Sequence, residues 1–282
     1  MIIPVYQLNA QGELQEVDLQ VHSLAELGRV EPPGVYTVAR TYRSDQAVML
    51  DAHLDRLEES ARLENIPFQL DRKQLRTGLR NLLARAAFPE ARFRIMLPSR
   101  QPAPLLLAAE PLPETVAAVR REGVVVATQH ITRVNPRAKS NAWIAARERA
   151  QERLPKGVYE GVVLSEAEEL LEGFSSNFYG VLEGELRTSE EQMLYGIARR
   201  IVLEVAADLL PVRLEPVRRA ELPALQEALL SSSGRGVVPI VQVDEYRIGD
   251  GDPGPLTRSI QAGYDAWVER HLEPIWRSEV DS

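Results

Sequence analysis

The chain has 282 residues, long enough for one large or two ordinary domains. At this length a fold hides roughly 75% of its unfolded surface and can enclose a dry site. Apolar residues make up 44% and charged residues 26%, which excludes a disordered chain, and no run reaches the ~20 apolar residues of a membrane helix. The net charge of -8 without a basic stripe speaks against nucleic acid, the absence of cysteine excludes disulfides and thiolate chemistry, and four scattered histidines offer no metal site. The N-terminal stretch MIIPVYQLNAQGELQEV has no basic region followed by an apolar one, so no secretory signal is read and a cytoplasmic location is expected.

In chain order, VYTVARTYR and AVMLD read as strands and AHLDRLEESARLENI as an amphipathic helix. Leu54, Leu57, Ala61 and Ile66 fall on or near one face, and Asp51 is expected to cap its start. RKQLRTGLRNLLARAA repeats the helical pattern, and RFRIML and PLLLAAEP return to strand. The polar stretch LPETVAAVRREG reads as a linker, dividing a first domain, 1–118, from a second, 119–282. VVVAT opens the second half. A helix WIAARERAQERL, strands at GVVLS, FYGVL and ELRT, and a helix GIARRIVLEVAADLL follow. A strand pair around VRLEPV and VVPIVQVD and a final helix LTRSIQAGYDAWVERHL close the chain. The fold class is α+β in two domains.

Five pieces can carry chemistry, and each has a plainer reading. In RVNPRAKSNAW, Lys139 lies between a strand and a helix. Nearby Arg133 and Arg137 with partial burial would favour the neutral amine that attacks an aldehyde, although most lysines are solvated surface charges. In LLEGFSSNFYGVL, Glu172 closes an apolar strand, where a buried acid needs a cation, or it is an edge-strand residue in a hairpin. In MLYGIARR, Gly196 precedes a helix whose Ile197 and Ala198 amides are free to bind an anion, as at many helix starts. ALLSSSGRGVVPIVQVD holds three serines and glycine in a turn suited to an anion, or simply a turn. In HLDRLEESA, Arg56 can fork onto a phosphate or pair with Glu59 one helical turn on.

The order and spacing of the five pieces resemble the pyridoxal 5'-phosphate (PLP) dependent fold-type IV family, the class IV aminotransferases, over most of the chain. The resemblance implies a smaller N-terminal α/β sandwich and a larger C-terminal pseudo-barrel. It implies that Arg56 of HLDRL binds the cofactor phosphate and that Lys139 of RAKSNAW holds PLP as a Schiff base and then moves the substrate proton. Glu172 of EGFSSN would pair with the pyridine nitrogen. Ile197 and Ala198 of LYGIAR, with Ser233 and Ser232 of the serine turn, would complete the phosphate site. Departures are Ala198 in place of a hydroxyl residue, Tyr195 in place of proline, and Asn141 and Trp143 at shifted spacing, which leaves the contact to the cofactor's phenolic oxygen unassigned.

For the substrate, the resemblance points to Tyr36, Arg40 and Gly234 and to the RFRIML strand, where an arginine, Arg94 with Arg92, would hold a carboxylate. Arg92 and Arg94, two apart on a strand, share one face, so both look toward the site or both are exposed strand residues. The implied activity is transfer of an amino group between an amino acid, of branched-chain or D type, and a 2-oxo acid. The alternative is an aminodeoxychorismate lyase that releases pyruvate and 4-aminobenzoate. YTVARTY resembles the lyase's start, and Val38 where lyases tend to carry threonine disfavours it. The partners implied are small molecules and a second copy of the chain in a homodimer, with no nucleic acid, membrane or metal.

Overall fold

Apolar side chains at alternate positions of two long strands build the first sheet. The computed structural model describes residues 1–9 and 11–276. Its first elements are β1 (Val5–Leu8), β2 (Leu14–Glu16), α1 (Leu24–Val30), β3 (Gly34–Arg40), β4 (Gln46–Val48), α2 (Leu50–Leu63), α3 (Arg72–Ala86), β5 (Ala91–Pro98) and β6 (Leu105–Pro111). Five of the strands form an antiparallel sheet in the order β2-β1-β6-β5-β3. Val35, Ala39, Phe93, Ile95, Leu97 and Leu107 share a core with Leu50, Leu54 and Leu57 of α2 and Leu75, Leu79 and Leu82 of α3. The 3.6-residue spacing of the leucines puts them on the helix faces turned to that core. Tyr36, Met96 and Leu106, one residue out of step, form a separate cluster with Ile144, because neighbouring strand residues point to opposite faces.

Three local expectations change here. Asp51 does not cap α2: the cap position is Met49 at φ 50 with no side-chain cap bond, and the Asp51 carboxylate instead accepts from Arg72 (3.3 Å) and Arg76 (2.8 Å) of α3. The strand expected over AVMLD stops at Val48, since the left-handed Met49 turns the chain directly into the helix. The stretch read as a linker contains a helix, α4 (Thr115–Glu122), with Val116 buried and Gly123 at its C-cap. Pro113 does not break it, because proline is compatible with a position at or before the first turn.

The remaining elements are β7 (Val124–His130), α5 (Ala142–Gln151), β8 (Glu160–Leu164), β9 (Glu169–Gly173), β10 (Asn177–Leu182), β11 (Glu185–Arg187), α6 (Ile197–Ala207), β12 (Val212–Arg213), β13 (Val217–Arg218), a 3-10 turn at Arg219–Ala224, β14 (Glu227–Ser232), β15 (Gly236–Val243), β16 (Tyr246–Arg247), α7 (Pro255–Arg270) and β17 (Leu272–Pro274). Six strands run β10-β14-β15-β7-β8-β9, and β9 pairs back to β10 through Glu172 and Asn177, closing a barrel. Val126, Val162, Leu164, Phe178, Leu230 and Ile240 belong to one buried apolar core.

The chain divides into two compact units. The first holds Met1–Leu112, Ala138–Ala145 and the segment from His271, and the second holds Pro113–Arg137 and Ala146–Arg270. The sequence places a division at 118/119, whereas the units part at 112/113. Residues 138–145 join the first unit because their backbone completes the edge of its sheet.

Candidate active site

In the first unit, β3 is an edge strand, and an edge leaves backbone donors and acceptors that must be met. Residues 139–141 meet them. The Tyr36 N–H donates to the Lys139 carbonyl (2.9 Å), the Asn141 N–H to that of Gly34 (3.0 Å), and Val35 pairs with Ser140. The Lys139 N–H donates to Ser60 Oγ on α2 (3.0 Å), so Lys139 is gripped at both backbone groups. Its Nζ lies 4.9 Å from the centroid of the Tyr36 ring, over which the Arg94 guanidinium also stacks at 3.6 Å.

Arg94 donates to Glu31 through Nε (2.9 Å) and again through Nη2. The two side chains are 3% and 0% exposed, so this cation is matched before any substrate arrives. Its strand neighbours are similar: Arg92 pairs with Glu110, and Arg40 pairs with Glu90 (2.6 Å) and lies over Tyr42. The expectation that Arg92 and Arg94 share a face holds, and both find carboxylates there. Asn141 donates to Glu31 (3.2 Å) and to the Pro32 carbonyl (2.7 Å) and accepts from the Gly34 N–H (2.9 Å), so its amide is committed to the backbone around β3.

Arg56 on α2 donates through Nη2 to Thr37 Oγ1 (3.1 Å), and that oxygen lies 2.9 Å from His53 Nδ1. Thr37 and His53 are each 1% exposed. An arginine can only donate, so Thr37 Oγ1 accepts from Arg56. Glu59, one helical turn on from Arg56, accepts from Arg62 at 2.6 and 2.7 Å. Thr37 faces α2 and Tyr36 the opposite side of the sheet, so Arg56 and Arg94 flank β3 from its two faces.

In the second unit, Glu172 is 3% exposed on the strand that closes the barrel. Its oxygens accept from Arg133 Nη1 (3.0 Å) and from the Leu194 N–H (3.0 Å). Asn177, paired with Glu172 across the closure, donates to the Leu194 carbonyl (2.8 Å). A Cβ on Gly196 would run into Asn177 Oδ1, so the approach to α6 requires glycine there. The helix has no side-chain cap, and the Ile197 and Ala198 N–H groups have no acceptor among the described residues. Free donors at the positive end of a helix dipole suit an anion. Tyr195, in the position of the family's proline, lies 3.8 Å beneath the Arg137 guanidinium.

The three serines behave differently. Ser231 Oγ lies 2.8 Å from the Tyr179 hydroxyl; burial pushes the Tyr179 pKa up, only partly offset by Ser231 and Arg199. Ser232 Oγ accepts from Arg235 Nε (2.9 Å). The Ser233 hydroxyl has no partner among the described residues, and Gly234 follows it in the turn before β15. Burial alone would lower the Arg235 pKa, but Glu160 and Tyr159 outweigh it and the net shift is upward.

Sequence reasoning missed Glu31 as the partner of Arg94, the Thr37–His53 pair behind Arg56, the Glu172 contact of Arg133, and Arg235 with Glu160. All join residues far apart in the chain, so no local pattern announces them. Among the described residues no cluster of three or more metal-binding side chains occurs, and no helix is long and apolar enough to cross a membrane.

The first unit carries Arg56 and the backbone-gripped Lys139, and the second carries buried Glu172, the free α6 amides and Ser233; the fold is shared with solved aminotransferases. A hypothetical aminotransferase from Mycobacterium tuberculosis, in its PLP-bound form, superposes with a TM-score of 0.75 at 22% identity, covering 94% of this chain and 98% of that one. The family model for class IV amino-transferases matches residues 34–243, and the chain belongs to that family. Among curated relatives, a branched-chain-amino-acid aminotransferase from Pseudomonas aeruginosa is 29% identical over 276 residues, 88% of each chain. A D-alanine aminotransferase from Staphylococcus haemolyticus is 32% identical over 105 residues, 36% of this chain and 37% of its own.

Proposed function

We propose that the chain is a PLP-dependent aminotransferase that moves an amino group between an amino acid of branched-chain or D type and a 2-oxo acid. The observation that carries this reading is the pairing, at the barrel closure, of buried Glu172 with the loop that leads into the uncapped α6. One carboxylate for a protonated ring nitrogen and one set of amides for a phosphate are thereby built from adjoining segments. The donor set fits the cofactor: Arg56, the Ile197 and Ala198 amides and the Ser233 hydroxyl match a phosphate, Glu172 a pyridinium, and Lys139 an aldehyde. When bound, PLP supplies an electron sink for the carbanion formed at the substrate's α-carbon.

The chain's own residues do the rest. Lys139 Nζ anchors the cofactor and, once released, carries the proton to and from the α-carbon. Its two backbone bonds and the Tyr36 ring restrict where Nζ can swing, and fixed geometry replaces a search in solution. Glu172 keeps the ring nitrogen protonated, and Arg133 holds that carboxylate in place. Tyr36 forms a wall for substrate; Arg94, already bound to Glu31, acts by fixing the ring. Of the two serines, Ser233 takes the phosphate while Ser232 serves the turn. The working form is a homodimer, a reading carried by the family resemblance alone and checked by light scattering.

The coverage of the Pseudomonas relative supports a branched-chain substrate, and the shorter matches support D-alanine as the competing one. The test is to load the purified protein with PLP and add single amino acids, L-leucine, L-isoleucine, L-valine and D-alanine. An aminotransferase loses its yellow absorbance with the right donor and regains it with a 2-oxo acid. Pyruvate released from aminodeoxychorismate with no bleaching would identify the lyase instead, and a protein that takes up no PLP would refute both.

A further inference from the structure

Two turns of the second unit stand at proposed cofactor contacts: residues 173–176, which directly follow Glu172, and Ser233–Arg235, which link β14 to β15. A single side chain joins them. Arg235 Nε donates to Ser232 Oγ (2.9 Å), Nη1 reaches Tyr159 Oη (3.2 Å) and Glu160 Oε2 (3.2 Å), and Nη2 donates to the Ser175 carbonyl (3.2 Å) and Ser175 Oγ (2.9 Å). A guanidinium has five N–H groups, and these contacts occupy all three nitrogens, so Arg235 keeps little capacity to grip a phosphate itself.

Glu160 holds the far side of the joint. It accepts from the Ser175 N–H, from Ser175 Oγ (2.8 Å) and from Ser176 Oγ (3.1 Å). The Arg235 and Glu160 side chains are only 15% and 4% exposed. A Cβ on Gly173 would collide with Ser176 Oγ, so the glycine after Glu172 is what lets this cluster close.

We propose that Arg235 is a positioning residue that clamps the serine turn to the turn after Glu172, setting the Ser233 phosphate contact at a fixed spacing from the Glu172 ring contact. This rests on the PLP reading above. A fixed spacing matters because the cofactor is rigid between its ring nitrogen and its phosphate arm, and a turn free to drift forfeits the phosphate contact while leaving the ring contact in place.

The test compares the dissociation constants of PLP and of pyridoxal, which lacks the phosphate, measured by absorbance and fluorescence titration of the purified protein. Arg235→Gln is expected to weaken PLP at least about tenfold, the worth of one charge-assisted hydrogen bond, with pyridoxal changed less than about twofold. Arg235→Lys keeps the charge but cannot span both turns, and should recover part of the loss. Ser175→Ala trims the far end of the clamp without opening the buried ion pair, and should weaken PLP about threefold, so it carries the test if Arg235→Gln fails to fold. Equal weakening of PLP and pyridoxal, or no weakening of PLP, would overturn the clamp. Wild-type protein that binds no PLP would instead overturn the reading on which the clamp rests.

Discussion

The two units hold their proposed active groups by opposite means. In the first, Lys139, Tyr36 and Arg94 are fixed on or along regular strands, and the charge beside them is cancelled by a buried partner, Glu31. In the second, Glu172, α6 and the serine turn meet through loops, backbone amides and close approaches that only glycine allows. Strands give a rigid platform for a group that must act, and turns rich in free donors give a cradle for one that must be held. The first arrangement should therefore fail through stability and the second through affinity.

The largest expected effect is on the reaction. Lys139→Ala should lower kcat by about 10³-fold or more, the worth of a positioned proton-transfer group, with the melting temperature little changed because its anchoring bonds are made by the backbone. Rapid-quench assay with excess PLP checks this. Next, Glu31→Gln leaves Arg94 buried without a counter-charge and should cost about 3–5 kcal/mol in denaturant unfolding. The double variant Glu31→Gln with Arg94→Met should regain much of that loss. If the single and double variants are equally unstable, the first unit does not depend on its ion pair as described.

Thr37→Val marks the limit of that contrast, because Arg56, although in the first unit, is proposed to hold the phosphate. It removes the hydroxyl that holds Arg56 against His53 and should weaken PLP about tenfold, as expected for one lost hydrogen bond to a charged group. Pyridoxal binding should be spared, which a paired titration reads directly. The smallest effect belongs to the exposed Glu59–Arg62 pair on α2. Glu59→Gln should change unfolding free energy by less than about 0.5 kcal/mol, and a larger value would mean that exposure does not screen the contacts of this carboxylate.

Periodicity made most elements legible: the helices around Leu54 and Leu79 and the paired strands of both halves follow from it. It failed where one residue's backbone decides, as at Met49, whose left-handed φ both ends a strand and removes Asp51 from the cap. It failed again at Pro113, which punctuates a sequence without stopping the helix behind it. The five motifs of the proposed site were legible in order, because each motif is local. What makes the motifs work was not: Glu31 with Arg94, Arg133 with Glu172 and Glu160 with Arg235 are distant pairings that only the folded chain brings together. That residues 138–145 group with the first unit was hidden for the same reason, since the backbone bonds of residues 139–141 to β3 have no signature in side-chain pattern.

The chain contains three lysines, Lys73, Lys139 and Lys156, and Lys73 and Lys156 are exposed. Loading the protein with one equivalent of PLP, reducing it with borohydride and mapping the peptides by mass spectrometry therefore tests the central assignment directly. The expected result is a phosphopyridoxyl adduct on the peptide carrying Lys139, at near-stoichiometric yield. An adduct spread over Lys73 and Lys156, or none on Lys139, would contradict it.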